Sequence, residues 1–181
     1  MNLKISHQTG FPLVTVDDEL WPVDSVAVLS TPNQMPDIYR RMLAHHYHMT
    51  VVVEEHYGKP VEVRVLESGR QGDIYHRHII LTLAGTDRVV QYGIVRIDLD
   101  CCTPTVRDAI VAEQTPLGRI LIENQVLRTI EPTGFLKVTP GPTLVQSLQL
   151  PAPTTLYGRT GVIFCDNRPA IAVLEILTPT E

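Results

Sequence analysis

Asp73-Ile74-Tyr75-His76-Arg77-His78-Ile79-Ile80-Leu81-Thr82-Leu83-Ala84 is the stretch that decides the fold. Ile74, His76, His78 and Ile80 alternate with Tyr75, Arg77, Ile79 and Leu81, the two-residue period of a strand with two faces. The segment runs into Ala84-Gly85-Thr86-Asp87-Arg88, a turn-rich pentapeptide, and then into a second apolar run, Val89–Asp98. Two such runs joined by a short glycine-containing connection predict a β-hairpin. The parity places Arg77 on an otherwise apolar face, where a charge needs a reason to be.

Working outward, Thr50–His56 and Pro60–Glu67 flank Tyr57-Gly58-Lys59 and read as an earlier hairpin, with Val61, Val63 and Val65 forming one apolar face. Residues 36–48 read as a helix from the spacing of Ile38, Met42, His45 or His46, and Met49. Thr103-Pro104 and Thr115-Pro116 each carry the start signal of a helix, and Gly118 inside the second hints at a close backbone approach. The remaining chain reads as strands over Val126–Pro132, Thr133–Thr139, Thr155–Cys165 and Ala170–Leu177, with proline–glycine breakers between them. Residues 1–33 read as an irregular arm, with a short strand near Ser25–Leu29. Successive hairpins favour an antiparallel sheet. The expected fold is therefore α+β: one antiparallel sheet of about six strands with helices packed on one face, a single domain over residues 1–181.

Composition narrows the function. The net charge is −5 and Lys and Arg form no cluster, which argues against nucleic acid and against a membrane surface as partner. The polar start, Met1 to Gly10, and the absence of a long apolar run predict neither a leader nor a membrane span. Three cysteines, two of them adjacent (Cys101, Cys102 and Cys165), do not make a disulfide framework, so a cytoplasmic location is expected. The histidines His45, His46, His48, His56, His76 and His78 tempt a metal reading. They lack zinc-enzyme spacing, and solvated or core histidines account for them better.

The two side chains most suggestive of chemistry are Arg77 and Glu175. Glu175 lies in Ile171-Ala172-Val173-Leu174-Glu175-Ile176-Leu177 and shares its face with apolar residues. Buried carboxylates and guanidiniums need partners. Periodicity alone favours a structural ion pair, conceivably between these two, over a reactive site.

The order of several motifs resembles a known family. They are Met49-Thr50, then Tyr75-His76-Arg77-His78-Ile79-Ile80-Leu81, Gln91-Tyr92-Gly93, Thr115-Pro116-Leu117-Gly118-Arg119, Tyr157-Gly158-Arg159, and Val173-Leu174-Glu175-Ile176-Leu177. Over about residues 35–179 they resemble chorismate pyruvate-lyase, the 4-hydroxybenzoate-forming enzyme, and its divergent relatives. That resemblance implies a six-stranded antiparallel sheet. It also implies a cofactor-independent, metal-free lyase that eliminates pyruvate from chorismate in aromatic or quinone biosynthesis. By the same resemblance Arg77 and Glu175 are the catalytic pair, with Met49, Gly93 and Leu117 binding the substrate. His78 departs from it, standing where better-known members carry an acidic residue. The alternative is a non-catalytic domain binding a small carboxylate, since the fold also resembles effector-binding domains of bacterial transcription regulators.

Overall fold

A computed structural model describes residues 24–179. Seven strands form one sheet in the order β1-β5-β6-β7-β4-β3-β2: β1 Val26–Ser30, β2 Val61–Gln71, β3 Ile74–Leu83, β4 Val89–Asp98, β5 Arg128–Thr139, β6 Leu156–Cys165 and β7 Arg168–Leu177. Every adjacent pair is antiparallel. The expected single antiparallel sheet is present. The strand count rises from six to seven because β1, the short strand expected near Ser25–Leu29, pairs with the outer edge of β5. The rest of the expected N-terminal arm, residues 1–23, lies outside the described residues.

The helices are α1 Asp37–Leu43, α2 Met49–Tyr57, α3 Pro104–Val111, α4 Leu117–Glu123 and α5 Pro142–Ser147. Those before β5 cover one face. On that face Tyr39, Met42, Leu43, Met49 and Val53 pack on Ile79, Leu81 and Leu177, while Val106, Ile110, Ile120 and Leu121 pack on Ile97, Ile163 and Ile171. The short α5, in a segment read as breakers, sets Leu144 and Leu148 against Ile80, Tyr92, Leu174 and Ile176, residues of the opposite parity.

Three readings are corrected. Thr50–His56 is not a strand but most of α2, which buries Met49, Thr50 and Val53, one face of a helix. The strand preference of Val51-Val52-Val53 yields to packing against α1, α4 and β2. Gly58 is not a hairpin turn: it closes α2 in the left-handed conformation, φ 61°. The helix expected over 36–48 stops at Leu43, and residues 44–48 cross to α2 as a loop. In addition, the two strands expected over 126–139 are one, interrupted by an irregularity between Pro132 and Gly134.

The start signals read at Thr103 and Pro116 hold: the Thr103 hydroxyl accepts from the Val106 N–H, and α4 begins directly after Pro116. Gly118 is where α4 meets the chain before α2; a Cβ there would lie 3.0 Å from both His48 Cβ and Thr50 Oγ1.

Strand register is the device that positions the site. Reading across β2, β3, β4, β7, β6 and β5, one row of directly paired residues is Ser68, Arg77, Val95, Val173, Gly161 and Pro132. Two residues along, the row is Val65, Ile79, Gly93, Glu175, Arg159 and Phe135. Two further, it is Val63, Leu81, Gln91, Leu177, Tyr157 and Lys137. All three rows face the helices before β5.

The centre of this sheet tolerates no added volume at Gly158, where a Cβ would lie 2.5 Å from the Glu175 carbonyl oxygen and 3.0 Å from Ile176 Cγ1. Gly158→Ala should lower stability by about 2 kcal/mol, the scale of overpacking in a tight interior. Urea denaturation reads this as a fall in midpoint, and an unchanged midpoint would show that the β6–β7 pair opens freely.

Candidate functional site

The three rows and the N-terminal ends of α2 and α4 enclose a partly open cleft of about 490 Å³, counting its mouth. The cavity itself is about 50 Å³, and the rest of that space is its open mouth. All five residues singled out in the sequence line it: Arg77, Glu175, Met49, Gly93 and Leu117. Gly93 sits at the middle of the floor, between Ile79 and Glu175 in the central row. Having no side chain, it lets Ile79 lie across it: a Cβ there would be 3.1 Å from Ile79 Cδ1 and 3.6 Å from Gln91 Nε2. Met49 closes one side from the first turn of α2, and Leu117 another from the first turn of α4. Val63, Ile79, Leu81, Val95 and Val173 make the walls apolar.

Arg77 is 1% exposed, and neither its Nε nor its Nη1 has a hydrogen-bond partner. Burial pushes its guanidinium down from the ordinary value, while Tyr75 and Glu113 act the other way. Arginine keeps its proton even so. The cleft therefore holds a positive charge, two of whose three nitrogens are unsatisfied. Of the structural readings open for Arg77, a pair with Glu175 does not form. Glu175 instead accepts from Arg159 Nε at 2.7 Å.

Arg159 is the residue that sequence reasoning missed. It was quoted within a motif but given no role, although its parity with Tyr157 and Ile163 already put it on the apolar face. Its side chain is 2% exposed, and every guanidinium nitrogen is engaged. Nη1 donates to the carbonyls of Leu43, at 3.1 Å, and His45, at 2.9 Å, and Nη2 to that of Tyr47, at 3.1 Å. These carbonyls lie at and beyond the end of α1, where a helix leaves acceptors open. Arg159 thus stops α1 at Leu43 and fixes the loop that delivers His48 and Met49 to the cleft.

Two histidines of that loop are held neutral. His45 Nδ1 accepts from the Tyr47 N–H and lies 3.2 Å from Arg159 Nη1, while its Nε2 lies 2.8 Å from the Met42 carbonyl, which fixes the proton on Nε2. Burial, then the Arg159 charge, pushes His45 down to about 4. His48 Nε2 accepts from Arg128 Nε at 2.6 Å; burial, then the Arg128 charge, pushes it down to about 4 as well.

Among the described residues no group of three or more His, Cys, Asp or Glu is placed to hold a metal ion. His76 and His78 share a sheet face, as their spacing predicted, and it is the face away from the cleft. The cysteine thiols are unpaired, and burial raises Cys102 to about 11 and Cys165 to about 12, far from reactive. No helix among the described residues is long and apolar enough to cross a membrane.

No family model matches this sequence, and no curated protein does. Solved structures do. The ligand-binding domain of a candidate GntR-family transcriptional regulator from Bordetella bronchiseptica superposes with a TM-score of 0.51 at 14% identity, over 67% of this chain and 87% of that one. The effector domain of PhnF from Mycobacterium smegmatis gives a TM-score of 0.51 at 12% identity, over 72% of this chain and 88% of that one. A longer PhnF structure gives 0.49 at 12% identity, over 71% of this chain and 62% of that one, so the matched region is part of that protein's length. The fold is shared with these ligand-binding and effector domains.

The expectation of a chorismate lyase is corrected here, and with it the assignment to 4-hydroxybenzoate and pyruvate formation. The proteins sharing the fold are described as ligand-binding and effector domains. The carboxylate that the elimination required to be available, Glu175, is bonded to Arg159 inside the sheet.

Breaking this pair from either side should be expensive. Arg159→Met leaves Glu175 and three loop carbonyls without a donor and should destabilise by roughly 3–5 kcal/mol. The double variant Arg159→Met, Glu175→Leu should recover part of the loss, and denaturation midpoints check both. The histidines set a pH dependence. Their unfolded value is near 6.5 and their folded value about 4, so between these limits the unfolded chain binds more protons. Stability is full above about pH 6.5 and falls as pH is lowered toward 4, by up to about 1 kcal/mol per unit for each histidine. His48→Gln, which can still accept from Arg128, should flatten that slope in urea titrations.

Proposed function

We propose that this chain is a non-catalytic binding domain for a small organic carboxylate, held in the cleft beside Arg77. The observation that carries the proposal is Arg77: a guanidinium 1% exposed, with Nε and Nη1 unpartnered, lining a cleft with apolar walls. A buried guanidinium with two nitrogens unsatisfied is unfavourable even with Tyr75 and Glu113 nearby, and a sequence free to vary would replace it by an apolar residue. A carboxylate entering the cleft supplies the missing acceptors and matches the planar donor fork of arginine. The apolar walls then favour a ligand whose body is a ring or a branched hydrocarbon. The likeness to ligand-binding and effector domains of transcription regulators supports a small-molecule partner of this kind.

Binding is separable from reaction in this arrangement. Arg77 has donors to give, whereas Glu175 Oε2 is committed to Arg159. Arg77 fixes one end of the ligand, and Met49 and Leu117, from α2 and α4, close over its body. A ligand that touches both helices links their first turns, which is the geometry an effector domain needs to change the spacing of its surface elements.

Arg77→Met tests the reading. It should abolish the thermal stabilisation that aromatic carboxylates such as phenylacetate confer on the wild-type chain, a loss of roughly 100-fold or more in affinity for a charge-assisted bidentate contact. It should also leave the ligand-free protein as stable or more stable, because an unpaired buried charge is removed. An Arg77→Met protein that binds phenylacetate as well as wild type would overturn the proposal.

A further inference from the structure

The two edges of the sheet are built in opposite ways. Among the described residues β2 and β1 are its outer strands. β2 carries Glu62, Arg64, Glu67 and Arg70, all exposed, and its pairing is interrupted by an irregularity between Val65 and Glu67. Charges and a bulge keep a foreign strand off an edge. β1 has neither. It pairs with β5 in unbroken register, holds no charged residue, and leaves Val26, Val28 and Leu29 61%, 51% and 63% exposed. Val26 and Val28 stand opposite Thr139 and Lys137, on the side of the helices before β5. Ala27 and Leu29 stand opposite Val138 and Leu136, on the side of α5. The strand is therefore apolar on both faces, the pattern of a strand with a neighbour on either side. The uncharged run extends past it, from Ser25 to Pro36.

From this contrast we infer that β1 is the seam of a two-fold dimer. It pairs antiparallel with β1 of a second copy of this chain, about Val28, and joins two seven-stranded sheets into one. In that register the strand is complementary to itself. Val28 of the two copies meet on the axis, Ala27 of each faces Leu29 of the other, and Val26 of each faces Ser30 of the other. Small side chains thus lie opposite large ones on both sides of the axis, and directly opposed pairs are what stabilise a sheet. The outward N–H and C=O groups of each edge gain partners in the same step. Charge selects a second copy as the occupant. At a net charge of −5, copies of the chain repel one another in general, and the uncharged run lets them meet without opposing like charges. Three exposed side chains a copy make a small interface, so the association is weak, with a dissociation constant of roughly 10–100 µM. β1 lines no part of the cleft, so the seam forms whether or not a ligand is bound there.

Sedimentation velocity on the full chain tests the seam. Wild type should pass from monomer at about 1 µM to mostly dimer at about 500 µM. Val28→Lys sets two cations against each other on the axis and should keep the chain monomeric throughout. At low concentration its melting temperature should match wild type, because Val28 is already half exposed in the single chain. Val28→Cys should give a covalent dimer under mild oxidation, since directly opposed residues of an antiparallel pair lie within disulfide reach. Wild type, with its own three cysteines, and Leu66→Cys on the β2 edge should not. A wild-type chain still monomeric at about 500 µM overturns the inference. In that case a lowered melting temperature in Val28→Lys assigns the edge to the chain's own residues 1–23, and an unchanged one leaves the edge open. A dimer that survives Val28→Lys, or that gives no cross-link through Val28→Cys, overturns it equally, because the copies then meet through another surface.

Discussion

Everything near the cleft depends on the guanidinium of Arg159. It lies within the sheet, 2% exposed, and is bonded at every nitrogen: to Glu175 across the β6–β7 ladder and to the carbonyls of Leu43, His45 and Tyr47 above the sheet. Burying an ion pair is costly unless its remaining donors are also satisfied. The loop after α1 supplies those acceptors, and in return its open carbonyls find donors away from water. Neither side is stable alone, so sheet and loop fix one another. The loop leads directly into Met49, which is why a contact remote from the cleft mouth sets the position of one cleft wall.

The same sheet face carries Arg77, equally buried and in the opposite condition. The two arginines belong to neighbouring rows of the sheet, two residues apart in register. What separates them is the layer above. Over Arg159 the chain comes down and offers carbonyls. Beside Arg77 no backbone comes down, and Ile79 and the joined first turns of α2 and α4 border a small cleft. Packing there is set by small residues: Gly93 in the floor, and Gly118, where α4 approaches His48 and Thr50 as closely as a Cβ would allow. One arginine is a structural bolt and the other keeps two nitrogens without partners, though sequence periodicity treats them alike.

That distinction marks the limit of what was legible in the sequence. The parity of Tyr75, Arg77, Ile79 and Leu81 located the site face, because strand alternation is a local property of the chain. The Thr103 cap and the Pro116 start were legible for the same reason. The partner of Glu175 was not, because it depends on which strand lies beside β7, and both β4 and β6 do. Helix α2 was lost for a related reason: three successive valines prefer a strand, and only the neighbouring α1 and α4 reverse that preference. Resemblance brought Met49, Gly93, Leu117, Arg77 and Glu175 to one cleft, but it could not say what each is bonded to.

The frame itself is compatible with either reaction or binding, since a fold does not fix a function. A site that removes a proton needs an acceptor facing its substrate; a site that only binds needs complementary groups left open for the ligand. Here the groups without partners include the Arg77 guanidinium, and the one carboxylate of the floor accepts from Arg159, which in turn holds the loop above the sheet. Arg77 keeps nitrogens without partners, while Glu175 Oε2 is tied to Arg159. The chemistry of the cleft follows from that division of hydrogen bonds among its residues rather than from which residue types line it.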